Sequence, residues 1–85
     1  MGILSPKPTP DEPALGSLAR EGHRCGRLLF RPGVDRDARI AAFLEKQVAL
    51  QEWLRNPWEP VELRAFTWGV RGGWDAAEAE GRASA

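Results

Sequence analysis

The sequence predicts a small α+β domain, one long central helix flanked by short strands, with a mainly α arrangement as the alternative. Three observations support this. A chain of 85 residues supports one domain. A single run, Asp35 to Arg55, carries sustained helical periodicity. Glycine and proline punctuation leaves only short apolar stretches on either side of it.

Residues 1 to 8 are proline-rich with little to bury, and read as an extended or disordered arm before a single domain over residues 9 to 80 and a frayed tail over 81 to 85. Thr9-Pro10-Asp11-Glu12 has the form of a helix start, with Thr9 as N-cap and Pro10 in the first turn. A short helix from Pro10 to Glu21 follows, with Leu15 and Leu18 on one face and Gly22 as its C-terminal stop. His23 to Arg31 reads as a turn and a short strand built on Leu28, Leu29 and Phe30, ended by Pro32-Gly33.

Asp35 then caps the dominant helix, which Asn56-Pro57 terminates. Its apolar residues Ile40, Phe43, Leu44, Val48, Leu50 and Leu54 spread over a face wider than a one-sided surface helix needs, and Gln47 and Gln51 fall near its centre. Val61 to Val70 reads as a strand whose alternation changes phase at Ala65-Phe66, suggesting a bulge or a strand covered on both faces near its end. Gly72-Gly73 reads as a turn, and Asp75 to Glu78 as the start of a short terminal helix.

Composition excludes several function classes. Twelve basic side chains balance twelve acidic ones, so no global field draws the chain to nucleic acid or an anionic membrane. Cys25 is the sole cysteine, which excludes an internal disulfide and points to a reducing, cytoplasmic compartment, or a virion if the source is viral. No run is long or apolar enough to span a bilayer, and the first residues lack a signal-peptide pattern. Ten arginines against two lysines, with abundant Ala, Gly and Pro, suggest GC-rich coding, as in a GC-rich bacterium or its virus.

Candidate chemistry is sparse. His23 and Cys25 would share a strand face, but a nucleophilic site also needs an orienting group and an oxyanion pocket, for which 85 residues leave little room, and one Cys and one His supply two of the four ligands of a structural zinc site. Gly69, Gly72 and Gly73 lack the Lys-Ser or Lys-Thr of a phosphate-binding loop. No enzyme activity, cofactor, metal or small-molecule substrate is therefore expected. Arg20, Arg24, Arg27 and Arg31 against the single acid Glu21 form a local basic stretch, the basis of an alternative reading as a nucleic-acid-binding regulator.

Four tryptophans in a chain without tyrosine suggest an interaction surface. Trp53 and Trp68 are expected in the core. Trp58, held between Pro57 and Pro60, is the expected anchor for a partner, together with the helix face of Ile40, Phe43, Leu44, Gln47, Gln51 and Leu54. The sequence thus points to a structural or adaptor subunit that docks onto a larger protein assembly or self-associates, with a viral particle component as one form of it. An inhibitor or antitoxin-like role is a third reading.

Overall fold

The computed structural model describes residues 11–84, and all of its secondary structure is helical: α1 spans Glu12–Leu29, α2 Arg36–Trp53 and α3 Pro60–Ser84. The expected α+β architecture is therefore wrong and the mainly α alternative holds. The expected arm over residues 1 to 8, the Thr9 cap and Pro10 lie outside the described residues. Asp11 is the N-cap of α1, its carboxylate accepting from the Ala14 N–H at 2.9 Å.

The helix does not stop at Gly22, and the segment read as a strand is its second half. Likewise the strand and turn expected between Val61 and Gly73 are the interior of α3. Both errors have one cause. Gly22 and Gly26 are spaced four apart in α1, as are Gly69 and Gly73 in α3, and all four are buried. A Cβ built on Gly22 would lie 2.3 Å from the Phe66 carbonyl oxygen, and one on Gly69 would lie 2.0 Å from that of Ala19. These glycines act as packing surface, letting two backbones meet without side chains between them. Each costs roughly 1 kcal/mol in helix propensity relative to Ala. Close backbone contact offsets that through dispersion and Cα–H···O contacts.

The contacts also set direction. Ala19 lies against Gly69, His23 against Gly73, and Arg27 pairs with Glu80, so α1 and α3 run parallel. Helix α2 returns antiparallel to both, with Arg36 opposite Asp75 and Phe43 opposite Phe66.

Helix α2 is bounded by local signals. Asp35 accepts from the Ala38 N–H at 3.1 Å. At the other end Asn56 N–H donates to the Gln51 carbonyl and Arg55 N–H to that of Glu52, a Schellman arrangement with Arg55 in the left-handed region at φ 61°. Between α1 and α2, Gly33 at φ 79° turns the chain, and the Arg39 guanidinium donates to the Leu29 carbonyl at 2.7 Å, satisfying an acceptor left over at the end of α1. Helix α3 opens with Pro60 in its first position, and the Glu62 carboxylate reaches back to the Glu59 N–H at 2.8 Å.

The core is thin. Ile40, Phe66, Val70 and Trp74 are its buried apolar members, with Leu18, Cys25, Leu29, Phe30, Phe43, Leu44 and Trp58 packed around them. Phe66, Val70 and Trp74 recur every four residues on one stripe of α3. Phe43 stacks on Phe66 with ring centroids 6.1 Å apart, Trp58 tilts onto the same ring at 4.8 Å, and Phe30 meets Trp74 edge-on at 5.3 Å. None of the described helices is long and apolar enough to cross a membrane.

Candidate docking surface

A core this narrow leaves large apolar groups outside it. Trp53 and Trp68, both expected in the core, are 78% and 75% exposed, while Trp74 is buried. The reason is helical geometry. In α3, Trp68 lies about 160 degrees round the helix from Phe66 and Val70, whereas strand alternation would have placed all three on one face. Trp53 falls on the side of α2 away from Ile40, in a cluster with exposed Leu50 and Leu54 at the helix end. Leu28 is exposed on α1.

Trp68 borders a groove of about 900 Å³ between the first half of α1 and the outer side of α3. Leu15, Ala19, Val61 and Ala65 contribute its apolar lining, Arg64 and Arg71 stand one turn to either side of Trp68, and Glu12 stands at the α1 end. A second depression of about 540 Å³ lies between α2 and α3, with Ala41 and Val48 in its lining and Glu45 and Glu52 on its α2 side. Leu63 and Thr67 line both, so the two form one continuous face across α3.

The residues singled out from sequence are distributed differently. Ile40 is buried, and Phe43, Leu44 and Trp58 are half-buried against the chain's own core. Gln47 and Gln51 are half-buried on the same side of α2, and Leu54 is exposed. Sequence reasoning missed Leu15, Arg64, Trp68 and Arg71. Arg64, Trp68 and Arg71, at i, i+4 and i+7, become a single stripe once residues 60 to 84 are read as a helix.

Arg20, Arg24 and Arg27 also follow a helical stripe along α1, with Arg31 two residues past its end, but they are engaged by neighbours. Arg24 pairs with Glu21 one turn earlier, and Arg27 makes a two-pronged contact with Glu80 at 2.8 and 2.6 Å. Arg20 donates to the Ser17 hydroxyl at 3.2 Å and Arg31 to the Phe30 carbonyl at 2.9 Å. The hydrogen bonds from Arg24 and Arg27 hold the carboxyls of Glu21 and Glu80 below their ordinary value and raise the two guanidiniums above theirs.

His23 and Cys25 do not share a face, because two residues apart on a helix is more than half a turn. His23 is exposed beside Gly72, and Cys25 is half-buried toward the core. Burial, with the nearby Glu21 carboxylate, pushes the Cys25 thiol upward, away from thiolate chemistry. Among the described residues no group of three His, Cys, Asp or Glu side chains is placed to hold a metal ion. Comparison with protein-family models, with curated proteins and with solved structures finds no match for this chain.

Proposed function

We propose that this chain is a small non-enzymatic structural or adaptor subunit that docks through exposed apolar side chains onto a protein partner, either a larger assembly or its own copies. The observation that carries this reading is the pair of tryptophans outside the core, Trp68 beside an apolar groove and Trp53 in a cluster with Leu50 and Leu54. Isolated apolar side chains on a surface need no explanation, but a tryptophan flanked by arginines on an apolar groove is the composition of an interface hot spot. Burying one such indole removes on the order of 200 Å² from water.

The reading based on nucleic acid draws less support. Two of the four arginines in the Arg20 to Arg31 stretch are already satisfied by carboxylates, and a phosphate would have to displace Glu21 or Glu80 to reach them.

A photo-crosslinking side chain introduced at Leu28, Trp53 or Trp68, with Arg24 as the control position, tests the proposal in cells that produce the protein. Adducts with a protein, concentrated at the apolar positions over the control, are the expected result. Equal adduct formation at all four positions would overturn it.

A further inference from the structure

Where the face lies between α3 and α2, it carries opposite charges on its two sides. Arg64 and Arg71 stand on its α3 side, Glu45 and Glu52 on its α2 side, and each pair is separated by seven residues, two turns of helix. All four side chains are exposed, and among the described residues none of them forms an ion pair. Between the borders lie Leu63 and Thr67, with Trp68 standing out of the basic side and exposed Ala41 on the acidic side.

Such a face is complementary to itself in only one orientation. A two-fold axis lying in the contact plane and running along α3 turns the basic border of one copy over the acidic border of the other, and does so twice. An axis across α3 would set like charge on like. The heights of the residues agree with the first arrangement. Because α2 runs antiparallel to α3 with Arg36 beside Asp75 and Phe43 beside Phe66, Glu45 lies at the level of Arg64 and Ala41 at the level of Trp68. The same axis therefore sets the indole of one copy over the small Ala41 side chain of the other, and Arg64 over Glu45.

We infer that this face is the interface of a two-fold homodimer, in which Arg64 of each copy meets Glu45 of the other and Trp68 seats over Ala41. The inference rests on the docking reading above and narrows its partner to a second copy of the chain. The chain's zero formal charge sets no net repulsion against pairing. Arg64 and Glu45 are the two charges that share a level, while Arg71 and Glu52 extend in opposite directions along the helices from it, so the pairing is carried by Arg64 with Glu45 and by Trp68 with Ala41.

Mass measured by light scattering and by sedimentation equilibrium on the full chain tests this. Wild type should be a dimer. Arg64→Glu and Glu45→Arg should each weaken self-association by about tenfold or more, since every reversal sets like charges together at two related places. The double variant carrying both changes should regain most of the lost affinity, because the pair is re-formed with its signs exchanged. Trp68→Ala should weaken dimerisation without changing helix content, as the side chain touches no core. A wild-type chain that remains monomeric, or a double variant no tighter than the singles, overturns the inference. Crosslinks from Trp68 to another protein beside a monomeric wild type would likewise overturn it while leaving the docking reading in place.

Discussion

Gly26 of α1 packs against the backbone of Val70 in α3 so closely that a Cβ at Gly26 would lie 2.0 Å from the Val70 carbonyl oxygen. Gly73 stands in the reciprocal position, its added Cβ falling 1.9 Å from the carbonyl oxygen of His23. In each case the obstacle is helix backbone, which cannot swing aside as a side chain can. The whole α1–α3 pair must separate to admit one methyl group, which also strips contacts from Phe66, Val70 and Trp74. Gly26→Ala and Gly73→Ala should each destabilise the fold by about 2 to 3 kcal/mol or more. Gly72, next in sequence to Gly73, is exposed, and a Cβ there would meet only the His23 ring at an ordinary 3.6 Å. Gly72→Ala should therefore stabilise by up to about 1 kcal/mol through helix propensity. Urea unfolding of the three variants checks the opposite signs, and a destabilised Gly72→Ala or a neutral Gly73→Ala would contradict the packing described.

Arg55 ends α2 in a conformation that favours glycine. At φ 61° its Cβ crowds the following carbonyl, a strain of about 1 to 2 kcal/mol, yet the backbone bonds from Arg55 and Asn56 to Glu52 and Gln51 require that geometry. The Arg55 side chain is exposed, so its removal takes nothing from the core. Arg55→Gly should accordingly raise stability by about 1 kcal/mol, and Arg55→Val should lower it. Thermal melts of the two variants should move in opposite directions.

How far the fold was legible follows from these same residues. Helix α2 has its signals in the chain: a carboxylate cap at Asp35, apolar spacing from Ile40 to Leu54, and Asn56-Pro57 past the end. Helices α1 and α3 depend on information that sequence patterning assigns the opposite meaning. Glycine within an apolar stretch reads as a breaker, and only the facing pair of four-residue spacings, Gly22 with Gly26 and Gly69 with Gly73, shows it to be a contact surface. That pairing spans more than forty residues, so no local window contains it. Misreading α3 as a strand then put Trp68 on the same face as Phe66 and Val70, and hid the stripe it forms with Arg64 and Arg71. Trp58 held its expected position between prolines, but the backbone stiffness that would present an indole to a partner here lays it on Phe66.

The Arg27–Glu80 contact ties α1 to α3 beyond the glycine seam, and its pH dependence has a definite sign. The Arg27 hydrogen bonds hold the Glu80 carboxyl below its ordinary 4.5 in the folded chain. A depressed carboxylate contributes stability that is present above its unfolded value and disappears as pH falls through the lower folded value. Both side chains stand at the surface, 41% and 60% exposed for Arg27 and Glu80, so the effect is screened by salt and small. Glu80→Gln should therefore be less stable than wild type at about pH 7, and the gap should shrink as pH falls through the carboxylate range. A gap between the two proteins that persists or widens in acid would remove the ion pair as its cause.

The tryptophans supply the sharpest comparison between the two readings of this chain. Trp74 is almost fully buried, with its ring edge-on to Phe30 and its backbone close to Gly26 of α1, whereas Trp53 is exposed in the last turn of α2. Trp74→Ala should cost about 3 to 5 kcal/mol, because the cavity is enclosed on the α1 side by a helix that cannot settle without breaking its glycine contacts. Trp53→Ala should stay within about 0.5 kcal/mol of wild type, since it removes a side chain already in water. Iodide quenching separates the four indoles by the same logic. Losing Trp53 or Trp68 should remove the readily quenched, long-wavelength part of the emission, and losing Trp74 the protected part, while Trp58 on Phe66 should show intermediate access. If Trp53→Ala proved as costly as Trp74→Ala, the end of α2 would belong to the core, and the apolar cluster of Leu50, Trp53 and Leu54 would be lost as a surface. Should Trp68 alone become protected at high protein concentration, with Trp53 still quenched, the interface lies on α3 and the α2 end remains free in the dimer.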